Sequence, residues 1–286
     1  MIKMNRRHKD SIFRALFSDK ENFISLYNAI HETNLDPKKT EVKQLEIPQT
    51  LYSTYKNDIS MLIEDKIIVL IEHQSTINQN MPIRFLEYVT RLYEQILKTE
   101  NRYRESVIPL PVPEFYVFYN GEKKYTQKTL KLSDAFISHA ENPPLELNVE
   151  IKNIQSTTNK DSELKLMEYC SILKEYALFI EIVKKYKNNR RGFKKAVEEA
   201  ISNGILKDFL ENNFKEIINM LCARYSYMTD IRVKAQEAAE IAFKEGTAQE
   251  RIETAKRMLA KNYPITDISE ISGLSVKEIE QLKITS

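Results

Sequence analysis

The sequence predicts a mixed α/β core followed by an all-helical half, and three observations lead there. Over residues 1–155 the elements run helix, strands, helix, strand. Ile67 to Ile71 is apolar at every position, the mark of a central strand covered by helices on both faces. After Ser156-Thr157-Thr158-Asn159, which reads as a linker, helical periodicity continues to the end of the chain.

Each element has a local justification. Ile12, Phe13, Leu16, Phe17, Ile24 and Leu26 recur near helical spacing and predict an opening helix over residues 9–32, stopped by Asp36-Pro37. Val42 to Ile47 predicts a strand and Asp58 to Gln74 a hairpin. Pro82 suits the first turn of a long helix reaching about Thr99. A strand over Glu114 to Tyr119, a turn at Asn120-Gly121 and a short strand near Leu145 to Ile151 complete the core. The expected division is a core over 1–155, a helical region packed on it over 156–225, and a helical tail over 226–286.

The hairpin holds the chemistry. Asp58 opens it, and Glu72 and Gln74 close it, so carboxylates stand at the end of an otherwise apolar strand pair. A two-residue loop at Glu64-Asp65 would pair Ile63 with Lys66 and leave Glu72 on the face away from Asp58. A three-residue loop, Glu64-Asp65-Lys66, pairs Ile63 with Ile67, sets Asp58 opposite Glu72 and points Gln74 the same way. The second register is the one taken. Burying such carboxylates is costly unless a cation or a hydrogen-bond network balances them, and an oxygen-rich set of this kind suits a hard divalent ion such as Mg2+.

Composition narrows the remaining classes. The chain has 286 residues with 42% hydrophobic content, enough for a packed interior. Lys and Arg total 43 against 41 Asp and Glu, so any nucleic-acid-binding surface must be local. Cys170 and Cys222 stand far apart and read as buried thiols of a cytoplasmic protein. No leader or membrane span is expected. Five glycines leave little scope for a phosphate loop, no serine or cysteine sits in a nucleophile motif, and four histidines argue against a His-based metal site.

Asp58 with Glu72-x-Gln74 resembles the variant active site of the Rpn family, recombination-promoting nucleases and transposases of the PD-(D/E)XK nuclease superfamily. The likeness extends to Asp10-Ser11-Ile12-Phe13-Arg14-Ala15-Leu16-Phe17-Ser18-Asp19, to Met81-Pro82-Ile83-Arg84 with Tyr88, to Phe115-Tyr116-Val117-Phe118-Tyr119-Asn120-Gly121, and to the stretch from Ile201 to Leu210. It implies a restriction-endonuclease-like core with a central mixed sheet flanked by helices, which element order alone does not select. It further implies a magnesium-dependent endodeoxyribonuclease with Asp58 and Glu72 as metal ligands, Gln74 as the third catalytic position, and products bearing a 5′-phosphate and a 3′-hydroxyl. The wider superfamily has lysine where this chain has Gln74, and a neutral amide hydrogen-bonds but carries no charge. Lys66 belongs to the turn at the far end of the hairpin.

Other residues carry two readings each. Arg84 and Tyr88, four apart on one helix face, either border the metal site and hold phosphate or form a half-buried polar patch. Asp10 either extends the acidic cluster or serves its helix as a first-turn acid. His73 alternates away from Glu72 and Gln74 and is no ligand. The basic run with Lys184, Lys185, Lys187, Arg190 and Arg191 is either a DNA phosphate contact or a solvated loop. In the tail, residues 268–275 resemble the turn of a helix-turn-helix, and Ser275 with Glu278 forms a capping box. The helix that follows has no basic face, so packing or homo-oligomer formation competes with DNA binding there. The function expected is a metal-dependent DNA endonuclease. Its alternatives are a catalytically weak or inactive DNA-binding accessory protein of transposition, or a self-associating regulatory protein.

Overall fold

In the computed structural model, residues 12–46, 58–97, 103–121, 125–138, 140–155 and 161–285 are described. The expected strand end at Ile47 and the linker at 156–159 lie outside them.

One six-stranded sheet organises the first part of the chain. Its strands are β1 (Val42–Gln44), β2 (Ile59–Ile63), β3 (Ile67–Gln74), β4 (Val112–Tyr119), β5 (Thr129–Lys131) and β6 (Asn148–Asn153), in spatial order β1-β2-β3-β4-β6-β5. β1, β2 and β3 pair antiparallel, β3, β4 and β6 parallel, and β5 antiparallel to β6. The hairpin closes through Glu64, Asp65 and Lys66, with Ile63 paired to Ile67 and Ile59 to Ile71. Glu64 and Asp65 take left-handed φ angles of 47° and 55°. Asp and Asn are among the residues with a Cβ that tolerate that region best, and the Asp65 carboxylate is paired with Lys43 Nζ at 3.0 Å.

The apolar run of β3 is covered on both sides. Val69 and Ile71 face a core built with α1 (Ile12–Phe17), α2 (Lys20–His31), α4 (Asp161–Tyr169), α5 (Ser171–Lys185), α6 (Arg190–Ser202), α7 (Lys207–Asn212) and the first turns of α8 (Phe214–Ala260). Ile68 and Leu70 face a second core with α3 (Met81–Ile96). Fully burying an aliphatic side chain contributes roughly 1.5–3 kcal/mol, and four consecutive β3 residues with no exposure make this strand the mechanical centre of the fold. α3 presents Met81, Phe85, Tyr88, Val89 and Leu92 to it, one helical face starting beside Pro82.

Several sequence expectations are corrected. The opening helix is two helices: Asp19 accepts from the Asn22 amide at 3.0 Å and caps α2, so the chain breaks at Ser18-Asp19 although apolar spacing continues across it. α2 ends at Glu32, whose φ of 53° stops it before Asp36-Pro37 is reached. The last core strand lies at Asn148–Asn153 rather than from Leu145, because it pairs with the end of β4 and with an edge strand, β5, that carried too few residues to show a pattern. Cys170 is buried but lies between α4 and α5, and Cys222 is only half-buried.

The chain divides into two compact units, Met1–Arg224 and Tyr225–Ser286. The second contains the end of α8, α9 (Ile265–Ser272) and α10 (Val276–Thr285) around Ala255, Ile268 and Ile279. Gly273, at φ 70°, stops α9. Ser275 and Glu278 form the capping box, with Ser275 Oγ donating to Glu278 Oε2 at 2.6 Å and accepting from the Glu278 amide at 3.3 Å.

Candidate active site

Extending the Ile59 to Ile71 pairing by one residue places Asp58 opposite Glu72, at the carboxyl ends of the parallel strands. Asp58 Oδ2 accepts the His73 backbone N–H at 2.8 Å, which fixes the aspartate against the end of β3. Glu72 is buried and projects towards α3, where Arg84 Nη2 reaches its Oε1 at 3.3 Å. The same nitrogen donates to Tyr88 Oη at 2.8 Å, and the Tyr88 hydroxyl hydrogen-bonds to Glu72. Arg84 and Tyr88, one helical turn apart, thus clasp the glutamate as a unit.

The electrostatics follow from burial. Desolvation pushes the Glu72 carboxyl up to about 8, Asp58 adds to the rise, and Arg84 and the Tyr88 hydroxyl oppose it. Asp58 is also raised by burial, against the pull of the His73 amide and of Arg14, Arg84 and Arg224. Burial and Glu72 raise Tyr88, which stays a neutral donor. Two carboxylates forced together in this way do not both ionise cheaply, and a divalent cation is the ligand that would let them.

Gln74 points to the same side as Glu72, but both ends of its amide are engaged: Oε1 accepts the Asn78 amide at 3.2 Å, and Nε2 meets Met81 Sδ at 2.9 Å. The neighbouring strand end is tightly packed. The Asn120 amide donates to the Gln74 carbonyl at 3.1 Å, and Gly121 passes so close to the Ser75 carbonyl oxygen that a Cβ there would collide with it. Gln155 Nε2 donates to the Gly121 carbonyl and ties the end of β6 to the same rim.

His73 faces the opposite side of the sheet. Its ring stacks on Phe13 with centroids 4.9 Å apart, and Tyr176 Oη lies 3.2 Å from its Nε2. Burial and the nearby Arg224 hold the imidazole well below its usual range, so it is neutral. Arg14, Tyr176 and Arg224 were not singled out from the sequence; they reach the site from α1, α5 and α8, and no local spacing announces that convergence.

The remaining predicted residues are placed as follows. Asp10 lies outside the described residues. The basic run spans the junction of α5 and α6, where Asn189 caps α6. Lys184 Nζ approaches the Asn120 carbonyl at 3.4 Å and Glu181 at 2.8 Å, Lys185 lies 4.0 Å from Glu199, and Arg190 donates to Asn219 at 3.0 Å. Lys187 and Arg191 are exposed. Only Lys184 of this run is brought to the strand ends that carry Gln74.

The donor chemistry is that of a hard-cation site, because Asp58 and Glu72 offer carboxylate oxygens side by side, and burial is what raises both carboxyls while no cation is bound. Among the described residues no group of three or more His, Cys, Asp or Glu forms a metal site, so the remaining ligands would be water or amide and backbone oxygens. Among the described residues no helix is long and apolar enough to cross a membrane.

Fold and site together define an α/β protein with a buried acidic centre at the carboxyl ends of its parallel strands. Residues 7–203 match the family model described as "Putative transposase, YhgA-like", and the chain belongs to that family. Its role is accordingly one related to transposition and recombination, with DNA the partner such a role implies. No curated protein and no solved structure matches the chain.

Proposed function

We propose that the protein is a metal-dependent DNA endonuclease of the PD-(D/E)XK type. The observation that carries this reading is the hairpin register, which opposes Asp58 and Glu72 at the end of the central strand. The strand order β1-β2-β3-β4, with α3 crossing between two parallel strands, is the arrangement expected of a restriction-endonuclease-like core and supports it. Asp58 and Glu72 would hold one or two magnesium ions, which when bound polarise the scissile phosphate and acidify a water molecule. Gln74 hydrogen-bonds that water and orients it. Glu72 would take the proton that the water gives up when its carboxyl is ionised, the state that a bound cation favours. Arg84, which stays charged at all relevant pH, faces the charge that builds on the phosphoryl oxygens.

The test is cleavage of supercoiled plasmid by wild-type and Asp58→Ala protein with magnesium, with calcium and with chelator. Nicking that needs magnesium and is lost in the variant is the expected result. Full activity of Asp58→Ala would overturn the assignment.

The engaged amide of Gln74 favours one second reading, a DNA-binding accessory protein with weak or no cleavage. Under that reading DNA binding persists without nicking, and Gln74→Lys is the substitution that would raise activity.

A further inference from the structure

The rim beside Gln74 continues into a neutral, aromatic patch that the cleavage chemistry above does not use. Gln74 Oε1 accepts the Asn78 amide at 3.2 Å, which ties the loop of residues 75–80 to the end of β3. The next side chain along, Gln79, donates through Nε2 to Tyr125 Oη at 2.9 Å. That hydroxyl in turn donates to Gln127 Oε1 at 2.9 Å, and Gln127 Nε2 donates to the Thr129 carbonyl at 2.9 Å, where β5 begins. Two loops that leave the neighbouring parallel strands β3 and β4 are thereby joined through one phenol.

The sheet fixes the place of that ring. Tyr119 is paired in register with Gln74, and the Tyr119 and Tyr125 rings stand 5.8 Å apart. Tyr119 belongs to the core that holds Tyr88, so the two tyrosines lie on the face of the sheet towards which Glu72 projects. Tyr125 keeps part of its surface exposed, and Asn78, Gln79, Asn80 and Gln127 of the two loops are exposed amides.

The chemistry of the patch decides what it suits. Residues 75–80 include no charged side chain, although 29% of the whole chain is charged. A phosphate is held best by Arg or Lys, whereas aromatic rings stack on the faces of unpaired bases and Asn or Gln amides bond to base edges. A phenol whose hydroxyl is bonded on both sides offers a partner its ring rather than its oxygen.

We propose that Tyr125 stacks on an unpaired DNA base beside the scissile phosphate, with the Asn78 and Gln79 amides at the base edge. The inference rests on the endonuclease reading above and names its substrate class: DNA that is locally unpaired at the cut, as in a bubble, a gap or a single strand. A base inside a duplex is stacked on its neighbours and reaches such a place only by leaving the helix. Negative supercoiling helps base pairs to open, so the plasmid of the nicking test offers sites of this kind.

The experiment compares two synthetic DNAs that share one labelled strand, a fully paired duplex and a duplex with a central bubble, cut by the full chain with magnesium. Wild type is expected to cut the labelled strand about tenfold faster in the bubble, on the order of the effect of one stacked base. Tyr125→Leu is expected to lose that ratio, the bubble rate falling about tenfold further than the duplex rate. Tyr125→Phe keeps the ring without the hydroxyl and is expected to keep most of the ratio. If Tyr125→Phe loses the ratio as Tyr125→Leu does, the residue is a tie between two loops and the proposal is overturned. A loss in Tyr125→Leu that is equal for both DNAs reports general loosening of the rim and overturns it too. Should Tyr125→Leu fail to fold, wild-type protein is irradiated in chelator with a bubble carrying 5-iododeoxyuridine in its unpaired stretch, a base that couples to an aromatic ring stacked on it. A crosslink at Tyr125 is expected, and crosslinks at other residues alone overturn the proposal. Equal cutting of both DNAs by wild type overturns this inference and leaves the endonuclease reading standing. Absence of Asp58-dependent cutting of either DNA overturns the endonuclease reading, and with it the place of a base beside a scissile phosphate.

Discussion

β4 borders two polar clusters, one at each end and on opposite faces of the sheet, and they are built from similar parts. Near its start, Glu114 meets His31 Nε2 at 2.9 Å and Tyr116 Oη at 3.2 Å. Beside its end, Glu72 meets Arg84 and Tyr88. Each has a glutamate, a basic side chain and a tyrosine. The difference is Asp58. At Glu114 a single carboxylate is matched by its donors, whereas at Glu72 a second carboxylate is forced alongside, and burial raises both acids against the pull of nearby arginines. A hydrogen-bonded acid inside a fold is ordinary; a pair of acids competing for one proton is the kind of perturbed group that singles out a candidate functional site.

The comparison breaks most sharply on cleavage. Glu72→Gln keeps the shape of its side chain but removes the charge and turns one acceptor oxygen into a donor, and is expected to lower magnesium-dependent nicking by about 100-fold or more. Glu114→Gln is expected to leave nicking at the wild-type rate. Equal losses in the two variants would erase the distinction.

Acid dependence gives the next largest effect. The folded Glu72 value of about 8 lies above the ordinary 4.5, so between those values the folded chain holds a proton that the unfolded chain has released. Stability of the cation-free protein therefore falls as pH rises through that window, and is highest on its acid side. Urea midpoints in chelator at about pH 5 and about pH 8 should show the fall, and both added divalent cation and Glu72→Gln should flatten it. A midpoint that climbs with pH in chelator would contradict the assignment.

Smaller effects sharpen the picture. Tyr88→Phe removes the hydroxyl shared by Arg84 and Glu72 and is expected to cost about 1–3 kcal/mol of stability together with a reduced nicking rate. Glu114→Gln weakens the pairing with His31 and is expected to cost about 1–2 kcal/mol in urea denaturation, with no change in nicking.

How much of this was legible in the sequence depends on the range of the interaction. The hairpin register was readable because one slipped residue would have turned Ile59, Met61 and Ile63 away from their core, and three turn residues suffice to close the loop. The pairing of Arg84 with Tyr88 was readable from helical spacing. The break at Asp19 is hidden from the apolar periodicity, which runs straight through it, and only the cap reveals the stop. β5 is three residues long and shows no alternation. Tyr176 meets His73, and Arg224 meets Tyr176, from widely separated parts of the sequence, and that convergence is a property of tertiary packing that no window of sequence contains.

Gly121 gives the rim of the site an asymmetry that bears on its redesign. On that side the Ser75 carbonyl and the Tyr119 side chain fill the space a side chain at Gly121 would need. Substitution cannot widen or line this wall, since even alanine would prise apart the ends of β3 and β4. Attempts to reshape the site by substitution should therefore be aimed at α3, whose side chains can be exchanged one at a time, with Gly121 left as a fixed edge.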